Sequence, residues 1–144
     1  MANVIPDSFK TDLLKGTFNF DSSGGSTCKL ALYTDISGLT TSTTAFTTTN
    51  EVSTSGTNYT SGGNTLTNSG VSVGSNIAFV DFADLTFSSV TLSAVGALIY
   101  KSGGSNEAVL VLDFGGTKTA TNGDFVVQFP TASSSAAIIR LGNA

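Results

Sequence analysis

The chain lacks histidine and tryptophan, and has one cysteine and two prolines in 144 residues. Each scarcity excludes something. Histidine is the usual acid–base group near neutral pH and the commonest metal ligand. Without it, serine and cysteine nucleophiles have lost their ordinary base. The lone Cys28 rules out an intrachain disulfide, so the fold must rest on its core. Charge is also scarce: 11% of residues, against a typical ~25%. The six Lys and Arg are scattered and the formal charge is −4. That is a poor match to nucleic-acid phosphates, which need clustered cations. No apolar run approaches the ~20 residues of a membrane span. Residues 1–7 show no basic stretch leading into an apolar one, so the reading expects no secretory signal.

What is present is hydroxyl, glycine and short alternating apolar runs. About three residues in ten are Ser or Thr, and 40% are hydrophobic. That is enough apolar content for one domain spanning residues 1–144, burying roughly 68–70% of its unfolded surface. Few charges and many hydroxyls suit a surface that is covered in an assembly, since a free monomer usually keeps more charge.

Along the chain, residues 1–6 read as an extended arm ending at Pro6. A short helix follows at about 8–15, with Asp7 or Ser8 as its cap and Gly16 as its stop. Phe9, Leu13 and Leu14 form its apolar stripe, and Lys15 falls in its last turn. Residues 17–20 read as extended. Residues 28–34 form a strand, in which Cys28 shares a face with Leu30 and Leu32 as a small buried hydrophobe. Residues 35–58 form a long Thr-rich excursion, and a loop of that length is usually functional. Short strands are expected at 64–67, 70–73 and 76–82, then around Leu85 and Phe87. Strands at 92–100, 108–114, 125–129 and 136–141 complete the set, the last four as an antiparallel meander. Residues 108–114 are apolar on both faces and read as a central strand. Gly115-Gly116 reads as opening the next turn and Asn122-Gly123 as closing it. Strands at this spacing predict an all-β antiparallel β-sandwich, jelly-roll-like, with a short N-terminal helix.

Chemistry-bearing groups are sparse. Asp81, Asp84 and Asp113 are the nearest approach to paired carboxylates. Asp placed at strand ends and in turns more often bonds the backbone. No catalytic, cofactor-binding or metal-binding residue is assigned, and no cofactor is expected. The phenylalanines alternate as core residues. Tyr33, Tyr59 and Tyr100 would form a glycan platform if they shared a face. The arm and the excursion are the expected partner contacts, through Val4, Ile5, Phe46, Val52 and Tyr59.

The order of several segments resembles a known family. Leu30-Ala31-Leu32-Tyr33-Thr34 precedes Thr48-Thr49-Asn50-Glu51-Val52 and Gly56-Thr57-Asn58-Tyr59-Thr60-Ser61-Gly62-Gly63. Val80-Asp81-Phe82-Ala83-Asp84-Leu85-Thr86-Phe87, Gly96-Ala97-Leu98-Ile99-Tyr100 and Leu112-Asp113-Phe114-Gly115-Gly116 follow. This series resembles a family of small structural proteins of tailed bacteriophages. Asn58 and Ser61 replace a Gly and an Ala of the family pattern, and Phe87 stands where Trp is frequent. The resemblance implies a virion protein, assembled in the host bacterial cytoplasm. Its first expectation is a head decoration or cement protein. Such a protein would bind neighbouring major capsid proteins as a homo-oligomer, a trimer being favoured. A tail or baseplate component is the alternative, and a host-glycan-binding module is the reading from another class.

Overall fold

The computed structural model describes residues 2–143. One helix and seven strands appear in the order α1 (Asp7–Leu14), β1 (Cys28–Tyr33), β2 (Asn64–Thr65), β3 (Asn68–Gly74), β4 (Ile77–Phe82), β5 (Leu85–Lys101), β6 (Ala108–Val127), β7 (Ile139–Leu141). They form two antiparallel sheets, β2-β1-β5-β6 and β3-β4-β7, with a shared core. The all-β sandwich with a short N-terminal helix is therefore what the chain builds. The jelly-roll detail, which needs eight strands in two Greek keys, is not reproduced among the described residues.

Period-two alternation explains the large sheet. Cys28, Leu30 and Leu32 of β1 face the main core, while Ala31 and Tyr33 face a second apolar cluster. In β5, Ala97 and Ile99 face the first, and Leu98 and Tyr100 the second. Ala108 and Val111 share the second cluster although three positions apart. A register shift opposite Ile99–Tyr100 makes this possible by inserting one residue. The sheet is thus buried on both faces over β1, residues 97–100 and residues 108–112, with the small sheet on the main-core face and Ile36, Leu39 and Phe46 on the other.

The excursion is the largest departure from the expected weak structure. Ile36 and Leu39 are buried, and Phe46 stacks on Tyr100 at 4.6 Å. Its backbone pairs at Tyr33↔Glu51 and Ala45↔Glu107. Ile36, Leu39 and Phe46, among the few large apolar residues that made it read as loose, are spaced to plug the second cluster.

The arm is also not free. Val4 forms an antiparallel bridge with Val111, with N···O distances of 2.9 and 2.8 Å. Asn3 Oδ1 accepts the Asp113 N–H at 2.9 Å. Pro6 is buried. Residues 3–6 therefore cover the edge of β6 in their own chain; Met1 lies outside the described residues. This corrects the central placement of 108–114. Both of its faces are buried, but β6 is an edge strand, and residues 3–5 and 44–45 cover that edge.

Smaller corrections have local causes. Helix α1 spans Asp7–Leu14 rather than 8–15, with Pro6 as the N-cap and no side-chain cap. Ser8 donates instead to Thr43 O, and Asp7 pairs with Lys10. Lys15 lies just past the helix. Gly16, at φ +78°, ends it in a Schellman motif: Gly16 N–H to Leu13 O and Thr17 N–H to Asp12 O. Leu14 is 86% exposed, so the buried stripe is Phe9 with Leu13 packed beside it. Residues 17–20 form no strand; Phe18 and Phe20 stack and enclose Phe9. The meander is two long strands, β5 and β6, whose bulges absorb Gly115-Gly116 and Asn122-Gly123 without turning the chain. β7 begins at Ile139 and pairs with β4 in the other sheet.

Candidate functional site

Two places collect polar groups. The first is internal and centres on Glu51, the only charged residue between Asp35 and Asp81. The Thr48–Glu51 turn aims its carboxylate at the turn after Tyr59. Glu51 Oε1 accepts from Tyr59 OH at 2.8 Å and Gly62 N–H at 2.6 Å, and Oε2 accepts from Ser61 Oγ at 2.7 Å. Tyr59 OH also accepts the buried Leu32 N–H at 3.0 Å. Tyr100 OH donates to Gly62 O at 2.7 Å, and Tyr33 OH to Thr47 O at 2.6 Å. Gly63 lies so close to β1 that an added Cβ would stand 1.8 Å from Leu30 O. The network pins residues 47–63 to the large sheet. Burial, reinforced by the Glu51 charge, raises the Tyr33 and Tyr100 phenols above their ordinary range. Tyr59 is raised mainly by burial as well.

This network answers the glycan-platform expectation. Tyr33, Tyr59 and Tyr100 are 0, 3 and 4% exposed, and each hydroxyl is bonded. They present no aromatic surface. The five expected contact residues are likewise placed. Val52 and Tyr59 belong to the main core, which corrects their assignment to a partner surface: their side chains are already filled by neighbours in the same chain. Val4 and Phe46 are half-buried against the second cluster, and Ile5 against the main core. The structure brings Val4 and Phe46 to the second cluster and Ile5, Val52 and Tyr59 to the main core.

The second place is a groove of ≈ 900 Å3 on the side of the sandwich where edge strands β6 and β7 end their sheets. Phe114, Phe125 and Phe129 line it with Ile138, and Lys118, Asp124 and Arg140 add charge of both signs. Val126, 49% exposed, lies on its β6 wall. Among the described residues no backbone other than that of β5 pairs with β6 beyond Asp113. The opposite wall is the loop over residues 130–138.

Carboxylates hold that loop. Asp84 Oδ1 accepts the Phe129 N–H at 2.8 Å where the loop begins. Asp81 lies at the level where it ends: it is 1% exposed, its Oδ1 accepts the Phe82 N–H at 2.9 Å, and Oδ2 has no hydrogen-bond partner among the described residues. Burial raises the Asp81 carboxyl, the Phe82 and Ile138 N–H groups oppose this, and Asp84 adds to it. Asp113 Oδ1 accepts the Gly115 N–H at 2.8 Å, which pulls its carboxyl down. The three aspartates are therefore bound to backbone. Among the described residues no three His, Cys, Asp or Glu side chains gather in a metal-binding group. Cys28 is buried, and burial pushes its thiol up to about 11, with Lys101 opposing. It stays a protonated core residue at neutral pH.

No protein-family model, curated protein or solved structure matches the chain. No helix among the described residues is long and apolar enough to cross a membrane.

Proposed function

We propose that this is a non-catalytic structural protein of a tailed-phage virion, most specifically a capsid decoration protein that binds major capsid protein. The order of segments from Leu30 to Gly116 supports the virion reading. One structural observation carries the non-catalytic part: the candidate carboxylates are spent on backbone. Asp81, Asp84 and Asp113 each accept a backbone N–H, while the groove beside β6 is open and lined by both apolar and charged groups. The groove is, in this reading, a binding surface. In this reading the contact surface moves from the arm and the excursion to the β6–β7 side, because the first two are already folded onto their own sheet. Multivalent copies would multiply weak contacts.

The test is occupancy of capsids stripped of this protein. Purified wild type should bind heads and not isolated tails. Val126→Glu, at an exposed groove position, should bind more weakly with unchanged circular dichroism. Binding to tails alone would establish the tail or baseplate reading, and binding to neither would refute the proposal.

A further inference from the structure

The small sheet ends in a surface that no described residue of its own chain covers. Directly paired residues share a face, so the β3-β4-β7 register sets two rows. The row Val71–Val80–Ile139 runs from the exposed edge into the core, with Val80 and Ile139 buried. The next row, Val73–Ala78–Leu141, has passed the end of the core: Val73 is 74% and Leu141 59% exposed. Only five large hydrophobic residues are exposed among those described, and three of them lie in these two rows. A soluble edge strand is usually blunted by lysine, proline or a covering segment. β3 has none of these over Val71–Gly74, and no charged residue occurs between Asn68 and Val80. Gly70 and the bulge before Val71 confine the regular edge to residues 71–74. Among the described residues β3 pairs with β4 alone.

We propose that β3 is a self-association seam, where the β3 edges of two copies pair antiparallel about a two-fold axis. The occupant is a second copy for two reasons. A chain of net charge −4 repels its own copies over most approaches, but this strand is neutral, so a copy meets no like charge in the paired strands. The strand is also complementary to itself. A two-fold axis normal to the sheet keeps each residue on its face, so partners must have the same parity and the axis must pass through a residue. With the axis at Ser72, Val71 of each copy faces Val73 of the other. Axes at residue 71 or 73 would leave a valine facing serine. The Ser72 register buries both valines in β-branched cross-strand pairs, the favourable pairing on a sheet surface. The seam is isologous, so it builds a dimer and departs from the trimer that the family resemblance implies. It stands independently of the proposed function.

Two measurements test it. In a light-scattering dilution series, the wild type should move between one and two chain masses. Val73→Lys, at a position too exposed to disturb folding, should raise the dissociation constant by roughly tenfold or more. Ser72→Cys should give a covalent dimer under mild oxidation, because paired Cα atoms ~4.5–5.5 Å apart fall within disulfide reach. The native Cys28 is buried, so wild type should give none. A wild type that stays monomeric at every concentration would overturn the seam. So would an oligomer, trimer included, that Val73→Lys leaves intact, or a Ser72→Cys protein that does not crosslink.

Discussion

Removing one oxygen from Tyr59 tests the internal network. In Tyr59→Phe the ring and its contact with Phe87 remain, with centroids 5.8 Å apart. Two hydrogen bonds go. The Leu32 N–H, on a residue with no exposed surface, loses its acceptor. Glu51 loses one of three donors but keeps Ser61 and the Gly62 N–H. An unsatisfied buried donor costs ~1–3 kcal/mol, and a bond to a charged group contributes ~1.5–3 kcal/mol. The carboxylate keeps two partners, so the lower part of the sum applies: about 2.5–4 kcal/mol. For a domain of this size that lowers the melting temperature by roughly 6–12 °C. Urea denaturation followed by circular dichroism reads it directly, with m unchanged if the denatured state is unaffected. Tyr100→Phe is the control. It strips a donor from the Gly62 carbonyl only, and should cost about 1 kcal/mol. A Tyr59→Phe loss below about 0.5 kcal/mol, or one no larger than that of Tyr100→Phe, would refute the argument that this hydroxyl ties the excursion to β1.

Gly63→Ala should cost more than ~2 kcal/mol or prevent folding, since its φ is +72° and the added carbon would meet Leu30 backbone; expression yield and melting temperature check this. Asp81 sets a pH dependence. Its folded carboxyl is raised above the unfolded one, so the folded state holds more protons and wild-type stability falls as pH rises through that carboxyl's range. Asp81→Asn should flatten this slope, gaining on wild type most at pH 7 and least in acid; parallel urea series across pH would show it, and identical slopes would contradict it. Phe129→Ala should cost clearly less than the ~3–5 kcal/mol of a fully buried phenylalanine, because Phe129 lies past the end of β6 and is only half-buried against Phe82.

The sequence exposed the parts of this fold where alternation is strict. Cys28–Tyr33 and the apolar halves of β5 and β6 alternate or are wholly apolar, and they are strands at nearly the expected bounds. Gly16 was readable as a helix stop because only a C′ residue needs its conformation. Long-range pairing was not readable. Val4 and Val111 are far apart in sequence, and nothing local says that an arm will cover its own edge. Gly115-Gly116 carries the composition of a turn, yet it bulges within a continuous strand, a choice made by the pairing with β5. The excursion looked loose because its apolar residues are few, although Ile36, Leu39 and Phe46 fill the second cluster and Val52 the main core. Of the polar network, one signal was available: a single charge, Glu51, in a long uncharged stretch needs partners, and the Gly62-Gly63 pair supplies one. Asp81 gave no comparable sign. Its burial depends on the loop at 130–138, whose path is set by contacts with Asp84 and β4.

The central claim is that the protein is a bound, non-catalytic part of a phage head. The most direct measurement is cryo-electron microscopy of tailed-phage particles assembled in the presence of this chain, with density assigned by fitting this sandwich. The account predicts copies seated on the outer surface of the head, with the β6–β7 side against major capsid protein. Absence from the particle, or density confined to the tail, would contradict it.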